Sequence, residues 1–430
     1  MNILIVGNGG REHALAWKIK QSKNCDQLFV APGNAGTALE AVNVPISIND
    51  FPGLGSFCRA NQIELVVVGP EGPLVNGIRD YFEADPILQS ILLVGPGRAG
   101  AQMEGSKDFA KRFMVRNGIP TARARTFNTL QVSEAVDYLE SCTPPIVLKA
   151  DGLAAGKGVI ICSSVHDAQI AIREMLEEKK FGEASARVLV EEFLEGIEVS
   201  VFVLTDGKDF VILPEAKDYK RIGEGDTGPN TGGMGAVSPV VFADAAFMRK
   251  VEEKVIRPTI SGLKRENIPY KGFIFIGLMS VEGEPYVIEY NARMGDPETE
   301  VVLPRIKGDL LELLTAAAKG ELKGRKVEQE DFCTVTVVLV SGGYPGDYQK
   351  GKVISGLGKT GQTIVFHSGT RRIEGNVLTD GGRVLAVTGK GRDLKEASEN
   401  AYETISGIGW DDVYFRKDIG LDLQRWKDGR

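Results

Sequence analysis

Residues 286–293 carry the side chains best suited to phosphate chemistry. They alternate in polarity, which predicts a β-strand with one buried face and one polar face. The polar face would present the carboxylate of Glu289, the amide oxygen of Asn291 and the guanidinium of Arg293. Two hard oxygen ligands beside an arginine suit a divalent cation that bridges to phosphate oxygens. A plain solvent-facing strand is the alternative, because a Glu-x-Asn pair alone is a weak motif. The residues expected on the buried face are Tyr286, Ile288 and Tyr290.

A glycine-rich hairpin is the second feature that could bind phosphate. Two apolar runs, 146–150 and 159–162, predict strands on either side of the loop 151–158. This loop lacks the Gly-x-x-x-x-Gly-Lys-Ser/Thr spacing of a Walker A motif. We expect Lys149 on the first strand to reach a phosphate as a point charge, and Lys157 in the loop to close over it. For Lys157, a solvated position on a surface hairpin is the alternative.

Continuous apolar runs recur through the first hundred residues and end at glycine-containing turns. Runs without alternation are typical of strands covered on both faces, so a parallel, doubly wound sheet is predicted. Ligands of such sheets bind at the carboxyl edge, where these turns would collect. The four runs are 3–6, 28–31, 65–68 and 91–94.

The turn 7–13 distinguishes between two kinds of phosphate site. A dinucleotide fingerprint needs a third glycine where the chain has Glu12, and the second strand ends without an acid for a ribose hydroxyl. A nicotinamide oxidoreductase is therefore disfavoured. The amides of Gly9 and Gly10, the helix dipole and Arg11 would instead bind a single phosphate. A plain tight turn is the alternative for so short a motif.

Two polar segments in the middle of the chain suggest further contacts with ligands. In segment 187–196 an apolar strand runs into acids, which could accept hydrogen bonds from adenine or ribose but cannot bind phosphate. Solvated turn acids are the alternative there. The stretch 223–235 is too polar and glycine-rich for a core element, and loops of this length are usually functional or disordered.

Composition excludes several classes of protein. The chain has 430 residues, 43% of them hydrophobic and 25% charged, so about two to four packed units of a soluble protein are expected. A formal net charge of -7 argues against nucleic acid and anionic membranes as partners. The five cysteines lack Cys-x-x-Cys spacing, and no apolar run has membrane-spanning length. We therefore expect reduced thiols and a cytoplasmic location.

Taken in order, these segments resemble the ATP-grasp superfamily and, within it, the phosphoribosylamine-glycine ligases, also called glycinamide ribonucleotide synthetases. The resemblance covers nearly the whole chain, and its motifs are specific because they occur together. It implies a multidomain α/β and α+β protein with three domains. These are a Rossmann-like substrate-phosphate domain over 1–103, an ATP-grasp domain over 104–325 with a hairpin lid subdomain at about 122–190, and a small mixed β/α domain over 326–430. The motifs lie at 7–14, 31–37, 69–71, 104–107, 149–158, 225–235, 293–299, 333–346 and 381–387.

The resemblance also implies an activity and a set of site residues. ATP, glycine and 5-phosphoribosylamine would react through glycyl phosphate to give glycinamide ribonucleotide, ADP and phosphate, a step of purine biosynthesis. Glu289 and Asn291 would hold Mg²⁺ or Mn²⁺, Arg293 and Lys149 would be catalytic, and a monomer is expected. The residues expected to bind ATP are Lys107, Lys149, Gly156, Lys157, Glu191, Glu192, Phe193, Leu194 and Glu198. Those expected to bind phosphoribosylamine are Gly9, Gly10, Arg11 and Glu71, and those expected to bind glycine are Asp218, Gly233 and Arg293.

Three positions depart from the pattern of these ligases. Met294 stands where phenylalanine is usual, which exchanges one apolar residue for another and should be mild. Tyr219 stands where histidine is common. Glu300 replaces glutamine and would add a negative charge near the site if it faced inward.

Two other functions remain open at this point. Another ATP-grasp ligase, using a different carboxylate or amine, would share the nucleotide-binding features. A non-catalytic nucleotide sensor would bind ATP without turnover. Release of ADP, measured with glycine and phosphoribosylamine added singly and together, would separate these functions.

Overall fold

The N-terminal part of the chain forms a parallel sheet covered on both faces. The structure is a computed structural model that describes residues 1–153, 158–358 and 361–428. The strands are β1 (Asn2–Gly7), β2 (Gln27–Pro32), β3 (Val42–Asn43), β4 (Leu65–Val68) and β5 (Leu92–Val94). They are all parallel, in the order β3-β2-β1-β4-β5.

Helices pack on both faces of this sheet. Ile5 lies in an apolar cluster on one face with Leu15 from the first helix, whereas Leu4 lies in a cluster on the other face with Leu54 and Phe82. The predicted doubly wound fold is therefore confirmed. The helices are α1 (Gly10–Ile19), α2 (Thr37–Glu40), α3 (Phe51–Ala60), α4 (Glu71–Val75) and α5 (Ile78–Ala84), followed by a 3₁₀ turn at Leu88–Ser90.

A small antiparallel sheet follows and has its own apolar core. Helices α6 (Arg98–Gly105) and α7 (Lys107–Arg116) lead into it. Its elements are β6 (Ala124–Asn128), α8 (Val132–Glu140), β7 (Ile146–Ala150), β8 (Val159–Cys162), α9 (Val165–Leu176), a 3₁₀ turn (Gly182–Ala186) and β9 (Arg187–Glu192). The strand order is β6-β9-β7-β8, and β7 and β8 form the predicted hairpin. Phe127, Leu148 and Ile172 are buried in its core.

The middle of the chain builds a second antiparallel sheet and supplies strands to a third. The elements are β10 (Ile197–Thr205), β11 (Phe210–Ile212), β12 (Lys217–Asp218), β13 (Arg221–Gly223), β14 (Thr227–Asn230), β15 (Gly235–Ser238), α10 (Ala245–Val251), a π-helical turn (Glu252–Ile256), α11 (Arg257–Arg265), β16 (Gly272–Val281) and β17 (Glu284–Asn291). The second sheet has the order β11-β10-β16-β17, while β13 and β14 form a separate hairpin.

The alternation predicted for β17 is interrupted by a β-bulge. Ile288 is the extra residue, because Val287 and Glu289 pair with successive residues of β16. Val287 is consequently buried together with Tyr290, whereas Tyr286 and Ile288 are only half-buried. The prediction that Tyr286 and Ile288 share the buried face was therefore wrong. A one-residue insertion of this kind reverses the direction of every preceding side chain.

The C-terminal sheet takes in strands from the middle of the chain. The remaining elements are α12 (Thr299–Val302), a 3₁₀ turn (Leu303–Arg305), β18 (Ile306–Lys307), α13 (Leu310–Lys319), β19 (Glu328–Gln329), β20 (Cys333–Val340), β21 (Thr363–His367), β22 (Thr370–Ile373), β23 (Asn376–Thr379), β24 (Arg383–Gly391), α14 (Leu394–Ile405) and α15 (Leu421–Asp428). The sheet order is β12-β15-β20-β24-β21. The domain boundary at 326 stays a prediction. Within the described part of the chain, no helix has both the length and the apolar character needed to cross a membrane.

Candidate active site

Glu289 and Asn291 of β17 point to the same side, because they lie two residues apart beyond the bulge. Both are half-buried. Glu289 lies within electrostatic reach of Lys107, Asp218 and Lys220. Among the described residues, no three His, Cys, Asp or Glu side chains cluster as metal ligands. Two protein oxygens fit a cation whose other ligands are phosphate oxygens and water, as is typical of Mg²⁺ in nucleotide sites.

Lys149 bridges the two antiparallel sheets that face each other at this site. Its Nζ lies 2.7 Å from Oε2 of Glu191 and donates to the carbonyl oxygen of Ile288 at 3.2 Å. Lys111 approaches the other oxygen of Glu191 at 3.1 Å. Burial alone would raise the pKa of Glu191, but Lys149 and Lys111 outweigh it and lower the pKa. Glu191 therefore fixes Lys149 beside β17, and each of its oxygens binds a lysine. We call the region between these two sheets the cleft.

Lys107 stands at the start of α7 and faces the same cleft. Its Nζ donates to the carbonyl oxygen of Gly152 at 3.1 Å. Asp151 fixes this loop, because its carboxylate accepts a hydrogen bond from the amide of Asp108 at 2.8 Å. Burial lowers the pKa of Lys107, and Glu289 opposes that shift. Lys107 and Lys149 thus place two ammonium groups near the oxygens of β17, which suits a polyphosphate bound to a cation.

Three other residues expected around ATP lie at the end of β9 and on the connection that follows it, namely Glu192, Phe193 and Leu194. Glu192 ends β9, and its carboxylate accepts hydrogen bonds from the amide and Nε of Arg123 at 2.8 and 2.7 Å. Phe193 is 40% exposed and Leu194 is half-buried. An exposed ring on a connecting segment is available to pack on a base. Two expected residues lie outside the described part of the chain, Gly156 and Lys157.

A charged cluster forms around Lys220. Its Nζ lies 2.7 Å from Oε2 of Glu198. Burial opposes the charge on Lys220, but Asp218 and Glu198 outweigh it and raise the pKa of Lys220. Burial also raises the pKa of Asp218, and burial with the nearby Asp218 raises the pKa of Glu298 to about 8. A protonated acid next to ionised groups can donate to a carboxylate while its neighbours bind an ammonium. The cluster therefore has the chemistry needed for a small amino acid.

Arg293 joins the N-terminal domain to this cleft. Its Nε lies 3.2 Å from Oε2 of Glu71, and Nη2 lies 2.7 Å from Oε1 of Glu104. Gly233 approaches the same region from the other side. It has φ +116, and a Cβ there would lie 2.4 Å from Cδ of Pro297, so only glycine fits. The structure thus brings Arg293, Glu71 and Gly233 to one region, with the guanidinium engaged by two carboxylates.

The amides at the start of α1 already bind carboxylates of the chain itself. The amide of Gly9 donates to Oε2 of Glu12 at 2.6 Å, and the amide of Arg11 donates to Oδ2 of Asp296 at 3.3 Å. The guanidinium of Arg11 also binds Glu12, at 2.6 Å. A phosphate would have to compete with these groups. The assignment of phosphate to Gly9, Gly10 and Arg11 therefore stays a prediction.

Glu300 faces inward and is completely buried. Neither of its carboxyl oxygens has a hydrogen-bond partner among the described residues. A Cβ on Gly10 would lie 2.3 Å from Oε1 of Glu300, so the carboxyl sits against the start of α1. Burial raises the pKa of Glu300 well above its usual range, and Asp296 adds to this shift. Burial without a hydrogen-bond partner therefore favours the protonated, uncharged form of Glu300.

Replacing Glu300 with glutamine should remove a loss of stability at higher pH. The native carboxyl keeps its proton while the unfolded one, with a pKa near 4.5, releases it. Stability is therefore greatest below that pH and falls as the pH rises. Relative to wild type, the free energy of unfolding of Glu300→Gln should rise by about 1.4 kcal/mol for each pH unit over which Glu300 is protonated only in the folded chain. Urea unfolding at pH 5 and pH 8 measures it, with the exposed Glu399→Gln as control. If the free energies of unfolding of variant and wild type differed equally at both pH values, Glu300 would ionise normally.

Comparison with known proteins identifies the family. Three domain models of phosphoribosylglycinamide synthetase match the chain, the N domain at 1–104, the ATP-grasp domain at 105–299 and the C domain at 334–422. The chain belongs to the phosphoribosylglycinamide synthetase family. Its recognition from sequence and its three-domain architecture are thereby confirmed.

Full-length relatives agree with this assignment to the phosphoribosylglycinamide synthetase family. The chain is 46% identical over 426 residues to the phosphoribosylamine–glycine ligase of Escherichia coli O6:H1, with 98% of each chain covered. It is 47% identical to that of Yersinia pestis, again with 98% of each covered. The crystal structure of phosphoribosylamine–glycine ligase from Thermotoga maritima matches with a TM-score of 0.85 at 34% identity, covering 97% of this chain and 100% of that one.

Sequence reasoning missed several residues that shape the site. Their signals were weak, because each acts by pairing with a residue far away in the chain. Lys220 follows Asp218 and Tyr219, both named from the sequence, yet its partner Glu198 is 22 residues away. Only the fold shows that these groups meet. The missed residues are Glu104, Lys111, Lys220, Asp296 and Glu298.

Proposed function

We propose that the chain joins glycine to 5-phosphoribosylamine at the expense of ATP. The observation that carries this proposal is the face of Glu289 and Asn291 on β17, which lies opposite Lys149 and Lys107 in a cleft between two sheets. Membership of the phosphoribosylglycinamide synthetase family and full-length relatives of that activity support it.

The reaction needs activation of a carboxylate, because a free carboxylate does not condense with an amine at neutral pH. One carboxylate oxygen of glycine attacks the γ-phosphorus of ATP, the bond to the β-phosphate oxygen breaks, and ADP leaves. The amine of phosphoribosylamine then attacks the carbonyl carbon of glycyl phosphate, loses a proton, and expels phosphate. No side chain of the chain has to form a covalent bond. Alignment of bound reactants alone can contribute roughly 7–11 kcal/mol.

The side chains of the cleft divide these tasks by charge. Lys149 and Lys107 would hold the phosphates of ATP, while the Lys220 cluster with Asp218 and Glu298 would bind glycine. Arg293 would bind the acyl phosphate after exchanging one of its carboxylate partners. A Mg²⁺ or Mn²⁺ ion held by Glu289 and Asn291 would supply positive charge against the phosphate oxygens.

A cavity between the N-terminal and C-terminal sheets offers a second place for the phosphate of phosphoribosylamine. It has a volume of about 300 Å³. Asn8 and Gly33 line it on one side, and Arg371 and Arg372 on the other. These exposed arginines can fork onto a phosphate without displacing an internal carboxylate, unlike the amides at the start of α1. We propose that the phosphate binds between this arginine pair and the loop at Asn8, with Glu71 near the sugar.

Replacing Arg371 and Arg372 together with alanine should raise the KM for phosphoribosylamine about tenfold or more. Each charge-assisted hydrogen bond to phosphate is worth about 1.5–3 kcal/mol. The KM values for ATP and glycine should stay the same. Steady-state kinetics measures this, with Arg325→Ala as control. Arg325 is exposed, and its guanidinium donates to the backbone carbonyl oxygen of Glu321. An unchanged dependence on phosphoribosylamine would favour the site at Gly9 and Arg11.

Release of ADP tests the proposed function as a whole. Purified protein with ATP should release ADP at full rate only when glycine and phosphoribosylamine are both present. Full-rate release with a different amino acid would indicate another ATP-grasp ligase. Binding of ATP without release under any combination would indicate a nucleotide sensor and contradict the proposal.

We further propose a monomer acting in the cytoplasm. No disulfide joins any of the five cysteines, which all lie in the described part of the chain, and this suits a reducing compartment. The net charge of -7 disfavours binding to anionic polymers or membranes. Light scattering of the full chain and fractionation of cells test these two statements.

A further inference from the structure

The last part of the C-terminal domain binds the hairpin that follows the Lys220 cluster. This segment, residues 414–422, contacts the hairpin β13–β14 at several points. The hydroxyl of Tyr414 donates to a backbone carbonyl of β13 at 2.9 Å. The carboxylate of Asp418 accepts from the amide of Gly225, at the tip of the hairpin, at 2.8 Å. The hairpin begins one residue after Lys220, and segment 414–422 holds its first strand and its turn.

Arg416 is the centre of these contacts. It is only 1% exposed, although its guanidinium binds residues of a hairpin at the surface. Nη1 lies 2.6 Å from Asp226 and donates to the carbonyl oxygen of Arg221 at 3.1 Å. Nη2 lies 2.7 Å from Asp418. Arginine presents its donors in a rigid planar fork. A buried guanidinium that binds two carboxylates and a carbonyl oxygen therefore fixes the position of the hairpin relative to the C-terminal segment.

The same segment also holds the strand on the other side of Lys220. The hydroxyl of Tyr219 donates to the carboxylate of Asp422. Nζ of Lys217 lies 3.0 Å from Asp422 and 3.8 Å above the ring of Tyr219. Asp218 and Lys220 alternate with these residues and point to the cleft. The tyrosine at position 219 thus acts as a tether to the C-terminal helix.

We propose that Arg416 is a positioning residue for the candidate active site. It fixes hairpin β13–β14, and the hairpin fixes Lys220, because the amide of Thr231 closes the hairpin onto the carbonyl oxygen of Lys220 at 2.7 Å. The ammonium of Lys220 is then held against Glu198. This inference rests on the proposed function in one respect, that glycine is the substrate affected.

The test compares two arginine-to-methionine variants of the full chain. Arg416→Met should make the backbone amides of residues 221–230 exchange hydrogen several-fold faster. It should also lower kcat/KM for glycine by roughly 10- to 100-fold, the order expected when a small displacement misplaces a binding group. The KM for phosphoribosylamine should not change, because hairpin β13–β14 does not line the cavity proposed to bind its phosphate. Arg392→Met is the matched control, because Arg392 is 91% exposed and pairs only with Glu396 among the described residues.

Two further variants separate positioning from loss of folding. Asp226→Asn removes the hairpin's half of the ion pair, and its side chain is 58% exposed, so the C-terminal domain keeps its core. Like Arg416→Met, this variant should speed hydrogen exchange in the hairpin and raise the KM for glycine. Arg416→Lys should restore part of the activity. Unchanged exchange in both Arg416→Met and Asp226→Asn would overturn the proposal, as would faster exchange with an unaltered KM for glycine. A wild type without glycine-dependent turnover would contradict the proposed function instead, and the exchange data would still decide the role of Arg416.

Discussion

Replacing Glu289 with alanine is expected to lower glycine-dependent ADP formation by at least about 100-fold. In the proposed site Glu289 would supply one of the two oxygens that bind the cation, and Lys107 and Lys220 lie within its electrostatic reach. Its loss would leave the phosphates of ATP poorly aligned. The fold should persist, because a half-buried acid on a strand face contributes little packing. Initial rates of ADP release and a thermal melt measure both effects.

Glu284→Ala provides a control on the same strand. Glu284 stands at the opposite end of β17, is 41% exposed, and pairs with Lys250 at 2.8 Å on the surface. Removing a surface ion pair of this kind costs less than about 1 kcal/mol and should leave the rate unchanged. Near-normal turnover by Glu289→Ala would contradict the proposal that a cation binds at this strand. Equal losses in both variants would point to damage of the strand itself.

Replacing Glu191 with glutamine is expected to destabilise the chain by about 3–5 kcal/mol. The two lysines that flank Glu191 are both about 8% exposed, and its carboxylate pairs with both and offsets part of their charge. Without its charge, Lys111 and Lys149 would remain buried and repel each other. Denaturant unfolding of the wild type and the variant measures the loss. Activity should fall as well, because Lys149 is no longer fixed at the cleft.

Glu192→Gln is the matched control for this prediction. Glu192 is the next residue of β9, but its partner Arg123 is 90% exposed. The same substitution there should cost no more than about 1 kcal/mol. If both variants lost equally little stability, the buried network would contribute only as a surface pair does. If Glu191→Gln alone unfolded at lower denaturant with normal activity, Lys149 would not need the carboxylate for its position.

The N-terminal sheet could be predicted because burial on both faces leaves a direct mark on the sequence. Several apolar runs such as 65–68, each ending at a glycine-containing turn, are typical of parallel strands covered on both faces. The glycine-rich hairpin around Lys149 was equally clear. Both predictions depend on residues that are adjacent in the chain.

The β-bulge in β17 could not be predicted in the same way. The alternation from Tyr286 to Tyr290 looks regular, and the extra residue at Ile288 is set by pairing with β16. Likewise, the sequence gives no sign that β12 and β15 leave the central domain and join the C-terminal sheet. Such pairing is decided by packing between segments that are far apart in sequence.

The candidate site was predictable only as far as its oxygen and lysine ligands. Glu289, Asn291 and Lys149 carry types and spacings that suggest phosphate chemistry. The engagement of Arg293 with Glu104, and of Arg11 with Glu12, depends on distances that no spacing rule gives. For Glu300 the sequence left open whether the carboxylate faces inward. Its complete burial settles that point and raises the pKa of its carboxyl group.

Transfer of an oxygen atom tests the central claim most directly. Glycine labelled with ¹⁸O in its carboxylate would be supplied with ATP and phosphoribosylamine, and the phosphate released would be analysed by mass spectrometry. Attack of the carboxylate on the γ-phosphorus predicts that each phosphate carries one oxygen from glycine. Formation of glycinamide ribonucleotide with unlabelled phosphate would contradict activation through glycyl phosphate.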